Sequence, residues 1–192
     1  MVGANISPCM GKRNKMNNAE IEQEMKKYEN QGFNDWQMKQ IYLGLEDGVD
    51  VSKYADPKFD EDQMHEIRKG LEKGLDVNKY ADLKFNFSQM HEIRKGLRKG
   101  LDVSKYVDPK FNSDQMEQIR WGLEADIDVS KYADPKFNES QMFQIREGLE
   151  KGLDVSKYAD LKLNDIRMER IRKNLEKSKF KDRKKDIPEI KI

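Results

Sequence analysis

The stretch QMEQIRWGLEADIDVSKYADPKF, residues 115–137, holds most of one period of a motif that runs along this chain. Its tyrosine, Tyr132, returns at intervals of 26 residues without an insertion. Self-similarity at a fixed period of about 20–50 residues is typical of repeat architectures, whose neighbouring copies stack and share a core. The six repeats start at Tyr28, Tyr54, Tyr80, Tyr106, Tyr132 and Tyr158.

The first part of the motif has the pattern of an amphipathic helix. Asn112 and Gln115 have the spacing of a capping box, in which each side chain binds the backbone N–H of the other residue. Met116, Ile119 and Leu123 follow at i, i+3 and i+7, which places them on one helical face. We therefore predict a long helix of about 12–13 residues in every repeat.

The second part of the motif predicts a tight turn and a short helix. A glycine suited to the left-handed position after a helix follows in most repeats. These glycines are Gly48, Gly74, Gly100 and Gly152. The Asp-Val-Ser-Lys-Tyr segment that comes next predicts a helix of about one to two turns, capped by its aspartate. One repeat has Asp126 instead of glycine, so either a strained backbone or a longer helix is required, and we expect an irregularity at residues 125–127.

These patterns predict an all-α protein, an α-solenoid of six 26-residue helix–turn–short-helix repeats. Each repeat has only about eight apolar core residues, too few to fold alone, so neighbouring repeats must share a core. A helix that begins at Asn18, with Ile21 and Met25 on one face, is expected to cap the first repeat. The expected organisation is a disordered leader at 1–17, a repeat domain at 18–183 and a basic, flexible tail at 184–192.

The phrase QMxxIRxGLExGLDVSxYADPxF, which recurs over residues 28–177, resembles a known group of repeats. It is similar to the tandem short-helical repeats in accessory proteins of conjugative and phage-like mobile elements from Firmicutes-type bacteria. The resemblance implies a helical repeat fold. Because such repeats accompany antirestriction-type proteins, it also implies an accessory role against host defence or in maintenance of the element.

The composition of the chain bears on whether it binds nucleic acid, where in the cell it acts and whether it enters a membrane. The chain is 38% charged, but its net charge of +1 gives no overall field that would attract nucleic acid. A single cysteine, Cys9, excludes a disulfide within the chain and fits a reducing compartment. The sequence has neither a signal-peptide apolar segment nor a run of about 18 apolar residues, so we expect a cytoplasmic protein with no membrane contact.

The motifs of catalysis and cofactor binding are not found in the sequence, so we predict no catalytic residue, no cofactor and no enzyme activity. His65 and His91 occupy the same register position in neighbouring repeats. A zinc site normally needs three or four protein ligands, and the repeats contain no cysteine or third histidine to complete one. We therefore predict no metal site.

The positions opposite the predicted core face vary from repeat to repeat, and several hold large apolar or aromatic residues. Aromatic side chains often anchor protein interfaces. We therefore predict a non-catalytic protein-binding repeat scaffold that acts through the variable outer face of its long helices. The candidate partner-binding residues are Trp36, Leu43, His65, His91, Trp121 and Phe143.

The alternative prediction is nucleic-acid binding through the basic C-terminal repeat and a basic patch in the third repeat. The candidate residues are Arg94, Lys95, Arg98, Lys99, Arg167, Arg170, Lys173 and Lys177. A third possibility is a structural spacer, or an array that associates end to end, and the oligomeric state is left open.

One arginine recurs on the flank of the predicted long helix from the second repeat onward. These arginines are Arg68, Arg94, Arg120, Arg146 and Arg172. We expect them to pair at the surface with the aspartates of the Tyr-Ala-Asp segments, such as Asp56, or with the capping aspartates.

Overall fold

The structure is a computed structural model that describes residues 15–185, and this part of the chain contains seven α-helices and no strand. The α-helices are α1 (Asn18–Met25), α2 (Asp35–Glu46), α3 (Glu61–Glu72), α4 (Phe87–Arg98), α5 (Ser113–Glu124), α6 (Glu139–Glu150) and α7 (Asp165–Lys185). Short 3-10 helices follow α2 to α6, and they are η1 (Val51–Lys53), η2 (Val77–Lys79), η3 (Val103–Lys105), η4 (Val129–Lys131) and η5 (Val155–Lys157). The predicted all-α repeat fold is confirmed.

The helices belong to two compact units, one that ends at Arg94 and one that begins at Lys95. In the first unit, α1 packs against α2 and α2 packs against α3. In the second unit, α5 packs against α6 and α6 packs against α7. The helices that pack together within each unit are therefore neighbours along the chain, as the repeat pattern predicts.

The long helices begin and end where local chemistry requires. At the start of α5, the Asn112 side chain accepts a hydrogen bond from the Gln115 N–H, and the Gln115 side chain accepts one from the Asn112 N–H. The same capping box, with Asn or Asp as the N-cap, opens α2, α3 and α6. At the other end, Gly74 has a φ of +66°, which glycine adopts without steric cost.

Asp126 replaces this glycine without changing the turn. Its φ is +56°, and its N–H donates to the Leu123 carbonyl at 3.2 Å. Ile127 N–H then donates to the Gly122 carbonyl at 2.9 Å, the same bond that follows α3 and α6. The expected irregularity at 125–127 is wrong, because aspartate is among the residues that tolerate the left-handed conformation.

The buried core is formed by the same residue types in successive repeats. Its tyrosines, methionines and isoleucines are fully buried, and they include Tyr54, Tyr80, Tyr106, Tyr132, Tyr158, Met64, Met90, Met116, Met142, Met168, Ile67, Ile93, Ile119 and Ile145. The segment after each turn is a 3-10 helix of three residues, about one turn, which agrees with the predicted short helix of about one to two turns. The aspartate acts as the predicted cap in four of the five segments, for example where the Asp128 carboxylate accepts from the Ser130 N–H at 3.1 Å, but Asp76 makes no such bond before η2.

The two ends of the described chain differ from the interior repeats. Helix α1 begins after a capping box of Asn17 and Glu20, and its Ile21 is buried. Helix α7 continues to Lys185, two residues past the expected end of the repeat domain at 183. Of the expected leader at 1–17 and the expected tail at 184–192, residues 1–14 and 186–192 lie outside the described residues, whereas Asn17 caps α1 and α7 reaches Lys185.

Candidate functional site

Tyrosine hydroxyls of the short segments bind the long helix before them, as seen at Tyr54, Tyr80, Tyr132 and Tyr158. Tyr132 donates to the Gln118 carbonyl at 3.0 Å, and Tyr158 donates to the Gln144 carbonyl at 3.1 Å. The ring has room because the helix carries a glycine there: a Cβ added at Gly148 would overlap the Tyr158 hydroxyl and lie 3.0 Å from its Cζ. Each glycine inside a long helix therefore makes space for the tyrosine of the short segment that follows that helix.

The capping-box glutamine also binds the next repeat, as seen for Gln37, Gln63, Gln115 and Gln141. Gln63 Nε2 donates to the Phe85 carbonyl at 2.7 Å, and Gln141 Nε2 donates to the Leu163 carbonyl at 2.7 Å. These glutamines are buried, so the bonds are made out of water. One side chain thus caps the start of a helix and also links two repeats.

The recurring arginines bind the helix before them. Their Nε–H groups donate to side chains 28 residues earlier, in the pairs Arg68–Gln40 (3.0 Å), Arg94–Glu66 (2.6 Å), Arg146–Gln118 (3.1 Å) and Arg172–Gln144 (2.9 Å). A glutamate four residues later also binds the guanidinium group in the pairs Arg68–Glu72, Arg120–Glu124, Arg146–Glu150 and Arg172–Glu176.

The predicted pairing of these arginines with the aspartates of the Tyr-Ala-Asp segments, or with those that cap the short helices, is wrong. Arg68 does contact one surface aspartate, because its Nη1 lies 3.1 Å from the carboxylate of Asp47, which directly follows α2. The guanidinium groups lie between helices, and the side chains of Arg68 and Arg172 are only 5% and 7% exposed. The aspartates have a different role, because the Asp56 carboxylate accepts from the Lys58 N–H at 2.9 Å within its own turn. Burial therefore selects a partner from the preceding helix.

These three sets of bonds use most of the polar residues that recur in the motif. Binding must then depend on positions that vary between repeats. We use the name outer strip for two such positions, four residues apart on each long helix. The first position holds Lys39, His65, His91, Glu117, Phe143 and Glu169, and the second holds Leu43, Lys69, Lys95, Trp121, Glu147 and Lys173.

On α5 and α6 the outer strip carries an aromatic cluster formed by Trp121, Phe143 and Arg146. The Arg146 guanidinium carbon lies 5.4 Å from the Trp121 ring centre and 5.4 Å from the Phe143 ring centre. Bonds to Gln118 and Glu150 fix the arginine. Both aromatic residues remain 37% exposed. The cluster therefore presents two held rings to solvent on neighbouring helices.

The other apolar candidates lie in the first compact unit. Trp36, on α2, is 63% exposed, and Lys39 Nζ lies 5.5 Å from its ring centre. Leu43, about two helical turns after Trp36 on α2, is half-buried. This surface has one free-standing aromatic ring, and it lacks a buried arginine that would hold it.

The two histidines bind neighbouring side chains. His91 Nδ1 lies 3.2 Å from Glu66 Oε1 and 3.2 Å from Arg94 Nη2. His65 Nδ1 lies 3.4 Å from Arg68 Nη2. Burial and the positive charge of Arg68 lower the pKa of His65. Both imidazoles therefore contact the arginine that links their helix to the preceding one.

The basic candidates on α4 are partly neutralised. Arg94 is held by Glu66, and Lys99 Nζ lies 2.6 Å from Glu124 Oε2. Partial burial opposes ionisation of Glu124, but hydrogen bonds from Lys99 and Arg120 keep its pKa below the usual value. Lys95 is half-buried and Arg98 is exposed.

The basic candidates on α7 divide into two groups. Lys173 Nζ lies 2.6 Å from Glu169 Oε1, and this bond lowers the pKa of Glu169. Arg167, Arg170 and Lys177 are exposed, and no acidic side chain of the described residues lies within ion-pair distance of them. The structure thus separates one paired cation from three free ones.

Among the described residues, no three His, Cys, Asp or Glu side chains lie close enough together to hold a metal ion. Along residues 15–185, no helix has the length and apolar character needed to cross a membrane.

No protein-family model, curated protein or solved structure matches this chain. Its binding properties are therefore inferred from its own residues and their geometry.

Proposed function

We propose that this chain is a non-catalytic, cytoplasmic protein-binding module whose main contact is the aromatic cluster of Trp121, Phe143 and Arg146. The observation that carries the proposal is the position of Arg146 between two rings that are each 37% exposed. Large side chains that are already fixed lose little conformational entropy on binding. Aromatic and arginine residues also dominate the energetic centres of protein interfaces.

The surroundings of the cluster suggest the chemistry of its partner. Glu117 and Glu147 flank the rings on the outer strip, and each contacts an arginine of this surface. A partner that places an apolar side chain over the rings and a basic group beside these glutamates would bury both features. The resemblance to repeats of mobile elements supports a bacterial host protein as the partner and an accessory or anti-defence role.

The test is capture of a protein from bacterial lysate by the wild-type chain and by Trp121→Ala/Phe143→Ala. Leu83→Ala/Phe87→Ala is the matched control, because it also removes two exposed apolar side chains but leaves the cluster intact. We expect one protein to be retained by the wild type and the control and to be lost by the cluster variant. The captured protein is then purified, and its affinity for all three chains is measured by calorimetry.

The expected loss of affinity for the cluster variant is at least about 2 kcal/mol, as for other interface anchors. Circular dichroism must show unchanged helicity in both variants. Equal affinity for all three chains, or capture of no protein by the wild type, would refute the proposal.

A further inference from the structure

Helix α7 carries a row of basic residues on the face that, in the other repeats, packs against the next repeat. In α6 this face is formed by Gln141, Gln144 and Gly148, which contact Leu163, Arg172 and Tyr158. One period later, the equivalent residues of α7 are Arg167, Arg170 and Asn174. Lys177 and Lys181 extend the same face along the helix. We use the name α7 stripe for Arg167, Arg170, Lys177 and Lys181.

This face of α7 does not have the features that receive another repeat. Asn174 stands at the register position of the interior glycines, which leave space for a tyrosine ring. Lys184 stands ten residues later, where the interior repeats have that tyrosine. Helix α7 also runs past Glu176, the register position at which α3, α5 and α6 end, and continues to Lys185. The stripe is therefore a solvent-facing surface of the described chain.

The charges of the stripe have no counter-charge among residues 15–181. All four side chains are exposed, and none of them lies within ion-pair distance of a carboxylate in that range. The other cations of α7 are engaged: Arg172 binds Glu176 at 2.7 Å, and Lys173 binds Glu169 at 2.6 Å. Like charges three or four residues apart destabilise a helix, and an anionic ligand would remove this repulsion.

The length of the stripe favours an extended polyanion over a single anion. From Arg167 to Lys181 the helix rises by about 21 Å, at about 1.5 Å per residue. Neighbouring cations are about 4.5–10 Å apart along the axis, so one small anion can contact only two of them. A nucleic-acid strand presents a phosphate about every 3.4 Å and can contact all four.

We propose that the α7 stripe binds the phosphate backbone of nucleic acid without base specificity. The row consists of Arg and Lys side chains, which position a backbone, and its only amide is Asn174. A membrane surface fits less well, because a helix that lies in a membrane interface buries a continuous apolar face. The apolar Met168 of α7 is fully buried, and the large exposed apolar side chains of α7, Ile166 and Phe180, lie about 21 Å apart along the helix axis. The stripe shares no residue with the aromatic cluster, so the two proposals stand or fall separately.

The test is fluorescence anisotropy of the full chain with a labelled 20-nucleotide single strand and a 20-base-pair duplex, from 50 to 200 mM NaCl. The stripe variant is Arg167→Gln/Arg170→Gln/Lys177→Gln. The matched control is Lys53→Gln/Lys79→Gln/Lys105→Gln, which removes the same charge from three exposed lysines of the 3-10 helices. Circular dichroism checks that all chains keep their helicity.

We expect the wild type and the control to bind with a steep salt dependence. The stripe variant should lose at least tenfold in affinity at 50 mM NaCl. Its logarithmic salt slope on the duplex should be shallower by about 2 to 3, because each lost phosphate contact contributes about 0.9.

Three results would overturn the inference. The first is no binding of either nucleic acid by the wild type at 50 mM NaCl. The second is an equal loss of affinity in the stripe and control variants, which would mean that only net charge matters. The third is tighter binding to poly-glutamate, or to vesicles with 30% phosphatidylserine, than to nucleic acid, which would assign the stripe to an acidic protein or to a membrane.

Discussion

Helices α6 and α7 share one register but have different environments on the same face. In α6 the positions 141, 144 and 148 are buried against the following segment and hold Gln, Gln and Gly. In α7 the positions 167, 170 and 174 are exposed and hold Arg, Arg and Asn. The repeated residue types thus occur where a neighbour packs and disappear where none does. We use the name packing code for this relation between the residue type at a register position and the presence of a packed neighbour. Positions that pack against no neighbour are available to bind a partner.

The largest effect is expected from a methyl group at the glycine position. Gly148→Ala should lower the free energy of unfolding by about 3 kcal/mol, because the new Cβ overlaps the Tyr158 hydroxyl and overpacks the core. Asn174→Ala places the same side chain at the equivalent exposed site of α7. It should change stability by less than about 0.5 kcal/mol, in the stabilising direction, because alanine favours helix. Urea unfolding followed by circular dichroism measures both values.

A smaller effect is expected at the capping glutamine. Gln141→Ala removes the donor to the Leu163 carbonyl and the acceptor for the Asn138 N–H, at a cost of about 2 kcal/mol. Arg167→Ala, at the equivalent position of α7, should leave the melting temperature within about 1 °C of the wild type, since exposed side chains contribute little. If both substitutions lowered the melting temperature alike, the two faces would not differ as described.

The next effect is expected at the tyrosine hydroxyl. Tyr158→Phe removes its hydrogen bond to the Gln144 carbonyl and should lower the free energy of unfolding by about 1 kcal/mol. Burial raises the pKa of Tyr158 to about 12, whereas an unfolded tyrosine ionises near pH 10. Between about pH 10 and 12 the unfolded state therefore loses a proton that the folded state keeps, so stability falls as the pH rises.

Denaturant titrations at pH 8, 10 and 11 test this dependence. The decline of stability above pH 10 should be shallower in Tyr158→Phe than in the wild type. An identical decline in both chains would show that the phenol is not protected by folding.

The sequence was sufficient to predict the elements of this fold. The capping box of Asn112 and Gln115, the apolar positions of α5 and the glycine turns are local features that lie within about ten residues of one another. Asp126 was harder, because the same residue fits a strained turn or a longer helix, and only the retained bond from Ile127 to Gly122 decides between them.

The bonds between repeats could not be predicted in the same way. A period of 26 residues says that Arg146 recurs, but not which neighbouring repeat supplies its partner or at which offset. The partner is Gln118, 28 residues earlier, whereas the prediction chose surface aspartates. Burial decides this choice, and burial depends on how the helices pack.

Only part of the candidate site could be predicted, again because burial depends on how the helices pack. Trp121 and Phe143 were placed on the variable outer face, and both rings are partly exposed there. The arginine that holds them was missed, because Arg146 was expected at a different partner. For His91, the contact with Glu66 spans 25 residues and had no signal beyond the repeat itself.

The most direct test of the packing code is an exchange of residues between the two helices. Gln144→Arg gives α6 the residue of α7, and Arg170→Gln gives α7 the residue of α6. In α6 the new guanidinium would face Arg172, whose Nε now donates to Gln144 at 2.9 Å. Two buried like charges should cost about 3 kcal/mol or more, whereas the exposed exchange should cost less than about 0.5 kcal/mol.

The measurement is the free energy of unfolding of both variants in one urea series. A large loss for Gln144→Arg together with an unchanged value for Arg170→Gln is the result that the packing code predicts. Equal losses, or a Gln144→Arg chain as stable as the wild type, would contradict it, since the register would then carry no structural information.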